Sequence, residues 1–328
     1  MAAGQEQLLR AQVEVQTGRH YDIGLTLGAT AGAAISLRLQ LSELEQTATI
    51  AEQAGVRAGM TQSTLQGLSQ LATDFIAVLT GARGAVLGQQ LARDAATSAF
   101  ETFAGMMNVT FAGQHLFGGL NSGSPPIDSY QDSTAEAAVS AAFIGQFGFP
   151  PEDPAVAGIT GPQMQAFLDG PFAGLFEPAE WAGNWSNAAS TNLLSRSGPA
   201  QQVDESSNAN AAVAPGLAQA FTMVMALGEG NLSQAAFEAT VDKALSLIGG
   251  AQLDLGNEQS RIGIAQQRIS AAVETVGTRS FSVTKAIQAL ESVDPYEAAT
   301  RVNTLMIQLE ASYSLTGRLS RMSLLSYI

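Results

Sequence analysis

Two stretches far apart in this chain keep the same apolar rhythm, stepping alternately by four and three residues. The first is Leu37, Leu41, Leu44, Ala48, Ala51, Gly55, Ala58, Gln62, Leu65, Ser69, Ala72, Ile76 and Leu79. The second is Val241, Leu245, Ile248, Gln252, Leu255, Gln259, Ile262, Gln266, Ile269, Val273, Val276, Ser280, Val283, Ile287 and Leu290. Steps averaging roughly 3.5 residues keep one stripe against a partner helix as both supercoil, so each stretch reads as a coiled-coil strand. Two such strands from opposite ends of the sequence can pair into a long helical rod. That shape suits a filament subunit better than an enzyme.

Proline sets where long helices can run. Ten of the eleven prolines lie between Pro125 and Pro215, and the last is Pro295. A proline within a helix costs about 3 kcal/mol, so residues 1–124 and 216–294 are free to be long helices and the middle is not. The expected fold class is mainly α, a coiled-coil rod from the N- and C-terminal segments with an inserted α+β middle domain. The expected divisions are a helical segment over 1–117, an acidic, proline-rich outer domain over 118–213, a second helical segment over 214–294 and a C-terminal assembly helix over 295–328.

Within this plan, Gln5–Thr17 predicts a short helix stopped by Gly18, and Arg19–Thr30 an extended or looping connector. A further helix is expected from about Gly88 to Asn108. In the middle, short helices are expected near Met164–Leu168 and Glu177–Trp185, with strands near Asn192–Val203. Helix resumes near Ala214, breaks at Gly228–Asn231 with Asn231 as a cap, and ends at Ser292-Val293. Asp294 as N-cap with Pro295 at the first helical position is a strong start signal for a last helix. Leu305, Leu309, Leu319, Met322 and Leu325 on that helix need something to cover them and are the candidate assembly contacts. Asp294 and Pro295 are the candidate hinge that aims them.

The seams carry information of their own. Ala48, Ala51, Gly55 and Ala58 permit close backbone approach. Gln252, Gln259 and Gln266 recur every seventh residue, and polar seam residues exchange stability for register.

Charge narrows the partners. Of a formal net charge of −14, residues 118–230 carry eleven acidic groups against one arginine, Arg196. An acidic middle and dispersed arginines argue against nucleic acid. The absence of cysteine removes disulfides and cysteine-built metal sites. No apolar run is long enough to span a bilayer, and the N-terminus lacks the regions of a cleaved secretory signal.

No catalytic constellation emerges, and no cofactor is expected. His20 reads as a solvated loop residue and His115 as structural. Glu152 with Asp153, and Asp204 with Glu205, could hold a cation weakly but lack the alternation of a calcium loop. Trp181 and Trp185, four apart, suit a small core, or a sugar-stacking surface in a polysaccharide-binding module.

Three segments carry a likeness. Ala11-Gln12-Val13-Glu14-Val15-Gln16-Thr17-Gly18-Arg19 resembles the stretch after the first helix of bacterial flagellins and hook–filament junction proteins. Phe111-Ala112-Gly113-Gln114-His115-Leu116-Phe117-Gly118-Gly119 resembles a segment of the junction proteins that flagellins generally lack. Val293-Asp294-Pro295-Tyr296-Glu297-Ala298-Ala299-Thr300-Arg301, continuing to Ile328, is similar to their C-terminal helix. The chain is thus identified as a member of the flagellin and hook-associated protein family, most similar to hook-associated protein 3 of alphaproteobacteria.

The resemblance implies a structural role at the hook–filament junction, with flagellin and the other hook-associated junction protein as partners and self-association in a ring. It also implies a flagellar export chaperone, export through the type III apparatus without signal cleavage, and an extracellular place in the flagellum. The alternative within the family is a flagellin forming the filament itself. Family members usually carry roughly twenty more residues before the position of Met1, so the N-terminal partner of the last helix is expected to be short or missing.

Overall fold

The proline map translates directly into helices. In a computed structural model describing residues 2–85, 87–198, 201–227 and 232–325, the proline-free N-terminal stretch forms α1 (Ala2–Thr17), α2 (Ile23–Leu27), α3 (Ala31–Ala82) and α4 (Gly88–Met107). Gly18, at φ +67°, ends α1 in the left-handed region that favours glycine. The connector, expected to be extended or looping, is irregular only over residues 18–22 and helical beyond. Asp22 caps α2, its Oδ1 accepting from the Leu25 N–H at 2.9 Å, and a 3-10 turn over Gly28–Thr30 leads into α3.

A tight hairpin follows, β1 (Thr110–Phe111) against β2 (Gln114–His115). Local signals then place short helices: α5 (Thr134–Phe147) starts on the Ser133 hydroxyl and stops at Gly148, and α6 (Gly161–Asp169) starts on a Thr160–Gln163 capping box. Next come α7 (Pro171–Gly174), α8 (Pro178–Asn184), the antiparallel pair β3 (Leu194–Gly198) and β4 (Gln201–Asp204), and α9 (Val213–Ala226). The chain closes with the 58-residue α10 (Gln234–Glu291) and with α11 (Pro295–Leu325). The expected break at Gly228–Asn231 and the Asn231 cap lie outside the described residues.

Two compact units result, residues 1–48 with 274–328, and residues 49–273. The division does not follow the boundaries at 117/118 and 213/214. Residues 118–213 share one hydrophobic core with α3, α4, α9 and α10, including Phe143, Phe167, Trp181, Phe103 and Phe221.

In the second unit, α3 and α10 run antiparallel. Gly55 faces Ile269, Gln259 bonds to Leu65, and Arg83 pairs with Asp242, each pair of numbers adding to about 325. A Cβ on Gly55 would lie 3.5 Å from Ile269 Cγ2, so the small seam residues do allow close approach. The stripe on α3 is wider than a two-stranded seam, because Ala54, Leu68, Phe75 and Ala82 are buried as well. These form a second row, with the Phe75 ring 5.1 Å from that of Phe221 on α9.

In the first unit, Leu44 packs with Val276, Val283 and Ile287, flanked by Leu37, Leu41 and Ala48.

Candidate assembly surface

Asp294 and Pro295 start α11 as their types dictate. Asp294 Oδ1 accepts from the N–H groups of Tyr296 at 2.8 Å and Glu297 at 3.4 Å, and Pro295 occupies the first turn, where no donor is needed. Only residues 292–294 separate α10 from α11. They are tied to the connector after α1: Val293 N–H donates to the Gly18 carbonyl at 3.1 Å, His20 N–H donates to the Glu291 carbonyl at 3.0 Å, and Arg19 bridges to Ser292.

The last helix has a short N-terminal partner, the 16 residues of α1 against the 31 of α11. Helix α1 packs antiparallel along it, with Gly4 against Leu309, Gln5 hydrogen-bonded to the Tyr313 hydroxyl, and Arg301 Nη1 3.0 Å from Glu14 Oε2. Ala11 and Ala298 are buried. Alanine and glycine at these places let the backbones approach closely.

This pairing sorts the expected contact residues. Leu305 and Leu309 are half-buried, whereas Leu319 is exposed. Met322 and Leu325 fall within α11, but their side chains lie outside the described residues. Other apolar groups are exposed as well: Leu9, Val13 and Val15 on α1, and Met306, Ile307 (67% exposed) and Leu315 (63%) on α11. Apolar spacing marks the stripe that a partner helix covers, and these residues stand outside it.

The Phe111–Gly119 segment is a crossing point of three chain segments within the second unit. Its hairpin turn holds Ala112 at φ +49° and Gly113 at φ +78°. His115 is structural as expected, its Nδ1 2.8 Å from the Asn108 carbonyl. Gly118 bridges to Asn208, the Phe117 carbonyl accepts from Ala209 N–H, and Leu120 N–H donates to the Thr191 carbonyl. The glycines are needed for clearance: a Cβ on Gly119 would sit 2.2 Å from the Ala189 carbonyl oxygen.

Charged groups reinforce the crossing. Arg57 on α3 donates to Gln114 Oε1 at 3.2 Å and lies 3.7 Å from Glu205, whose own Oε1 accepts from Ser195. Burial pushes the Glu205 carboxyl above its ordinary value, only partly opposed by Ser195 and Arg57. Arg261 on α10 pairs with Asp204 at 2.9 Å and with Glu258. Burial alone would raise Glu258, but hydrogen bonds from Arg261 and Ser207 outweigh it and hold that carboxyl below its ordinary value. Asp204 and Glu205 therefore face arginines, and Asp153 caps a 3-10 turn.

The two tryptophans are core residues, 1% and 3% exposed, stacked on each other at 5.9 Å. Trp181 Nε1 donates to the Ala209 carbonyl and Trp185 Nε1 to that of Leu175. A sugar has no indole face to stack on here, so these two residues do not form the sugar-stacking surface considered above. His20 is likewise no solvated loop group, for its Nδ1 lies 3.9 Å from buried Glu14.

Residues 1–122 match the family model described as bacterial flagellin N-terminal helical region, and residues 245–328 match bacterial flagellin C-terminal helical region. The unmatched part contains nearly all of the proline-rich segment. No curated protein matches the sequence. A solved structure described as a flagellar hook-associated protein from Vibrio parahaemolyticus is similar in fold, with a TM-score of 0.54 at 11% identity, covering 80% of this chain and 97% of that one. With paired terminal helices, both family regions in order and this shared fold, the chain belongs to the family of bacterial flagellins and flagellar hook-associated proteins and is a structural component of the flagellum.

Proposed function

We propose that this chain is a hook–filament junction protein, linking the hook-side junction protein to the flagellin filament and self-associating in a ring. The observation that supports an assembly role is the number of uncovered apolar side chains on the terminal pair, with Leu9, Val13 and Val15 on α1 and Met306, Ile307, Leu315 and Leu319 on α11. Side chains of this kind, in this number, call for neighbouring subunits. Support for the junction rather than the filament comes from the Phe111–Gly119 segment and from the likeness to a hook-associated protein.

On this reading, Leu319, Met322 and Leu325 meet neighbours directly. Leu305 and Leu309 shape the same face from behind, and Asp294-Pro295 aims it. The acidic segment 118–213 faces outward from the assembly. A flagellar export chaperone holds the chain before type III export without signal cleavage, and no reaction is catalysed. Among the described residues, no helix is long and apolar enough to cross a membrane.

Immunogold labelling of isolated flagella tests the assignment. Label confined to one point at the hook end is expected. Label along the whole length makes the chain a filament flagellin. Leu315→Glu with Leu319→Glu in the full chain should abolish incorporation at unchanged helical content; normal incorporation would remove this face from the contact.

A further inference from the structure

Two glutamates of the first unit are buried, Glu14 at 8% and Glu291 at 1% exposed. A buried carboxylate is strongly unfavourable unless charged or hydrogen-bonding groups meet it, and here each is met from several elements. Glu291, the last residue of α10, receives Arg38 of α3, whose Nη2 is 2.8 Å from Oε2. Arg19 of the connector after α1 lies 3.7 Å from the same carboxylate. Glu14, on α1, accepts the Tyr21 N–H on Oε1 at 3.1 Å and Arg301 of α11 on Oε2 at 3.0 Å. His20 lies beside Glu14 and sends its own N–H to the Glu291 carbonyl.

Both carboxylates thus engage the zipped connectors, residues 18–20 and 291–293: Arg19 reaches Glu291, and His20 lies beside Glu14. They differ from ordinary surface ion pairs in one respect: the acids are buried while Arg19, Arg38 and Arg301 reach in from half-exposed positions. Such pairs are poor evidence of stability, but they penalise every arrangement that separates them, because a buried carboxylate would be stranded.

We propose that Glu14 and Glu291 form a two-carboxylate latch that fixes the direction in which the α1/α11 pair leaves the end of α10. Both are positioning residues: they touch no neighbour themselves but set where Ile307, Leu315 and Leu319 point. The consequence for flagellar assembly rests on the proposed function; the latch itself does not.

The test is amide hydrogen exchange on the full chain carrying Glu14→Gln and Glu291→Gln. Exchange at Tyr21 and Val293 should rise at least tenfold, while the amides around Leu255 in the second unit stay unchanged. Incorporation into flagella should fall in parallel. Exchange within twofold of the unaltered chain at both amides overturns the latch. Faster exchange with undiminished incorporation overturns its positioning role. Should the double variant fail to fold, Arg38→Gln with Arg301→Gln removes the counter-charges from half-exposed sites and must give the same acceleration, or the proposal fails. Failure of the junction assignment would look different, with label along whole filaments and slow exchange intact.

Discussion

The side-chain amide of Gln259 on α10 donates to the main-chain carbonyl of Leu65 on α3 across 3.1 Å. One heptad earlier, Gln252 reaches the Thr73 hydroxyl at the same distance, and one heptad later Gln266 lies beside Gly59. The recurrent glutamines therefore reach across to the facing helix at fixed places instead of turning to solvent. A carbonyl already engaged in its own helix gains little from a second donor, whereas an apolar side chain would gain by covering the seam. Gln259→Leu is expected to stabilise the second unit by about 1 kcal/mol, seen as a higher denaturation midpoint. A lower midpoint would mean that the bond to Leu65 outweighs apolar burial.

Gly119 has neither the conformation nor the room for a side chain. It sits at φ +59°, and a Cβ would meet the Ala189 oxygen at 2.2 Å and the Thr191 oxygen at 2.8 Å. Backbone cannot withdraw as a flexible side chain can. Gly119→Ala should cost about 3 kcal/mol, while Gly123→Ala, with nothing within 4 Å of its added carbon, should be nearly silent in the same urea titration.

The hairpin turn at Ala112-Gly113 has positive φ at both central positions, where asparagine followed by glycine is preferred. Ala112→Asn is expected to add about 0.5–1 kcal/mol of stability, because asparagine tolerates this region better than alanine. Since Ala112 is exposed, no packing change should obscure the effect, and thermal melts can measure it.

Glu205 and Glu258 should give opposite pH dependences. The folded value of Glu205 is raised, so its protonated form is the one favoured in the fold. The stability it contributes is present below its unfolded value and is lost as pH rises through the folded value. Relative to the unaltered chain, Glu205→Gln should thus become progressively more stable from about pH 4 upward. Glu258 is lowered, so its contribution is present above the unfolded value and disappears as pH falls through the folded one. Glu258→Gln should be least stable near neutrality and approach the unaltered chain in acid. Denaturation at a series of pH values separates the two; parallel curves would contradict the assigned environments.

The long helices were legible because the apolar rhythm has only one periodic solution, and because proline confined irregular structure to the middle. The start of α11 was legible because Asp294 and Pro295 each satisfy a requirement of a helix N-terminus. The helical part of the connector is hidden behind glycines at 18, 24 and 28, which predict breaks, whereas Asp22 supplies a cap just ahead of α2. The second buried row of α3 escapes local spacing because it answers to other elements, as Phe75 does to Phe221 of α9. The buried charges were hidden for a similar reason. Glu14 meets Arg301 and Glu291 meets Arg38 across more than 250 positions, and only the place of Glu291, four beyond Ile287 on the stripe, hinted that an acid faced inward.

The apolar core from Ala51 to Ile269 closes without any residue from 1–48 or 274–328. Heat can accordingly loosen the ends of a lone subunit while its body endures, giving two calorimetric steps. If neighbours clasp those ends as proposed, the earlier step should merge into a single, later one, so that the cohesion of the assembly can be read from the vanishing of a shoulder.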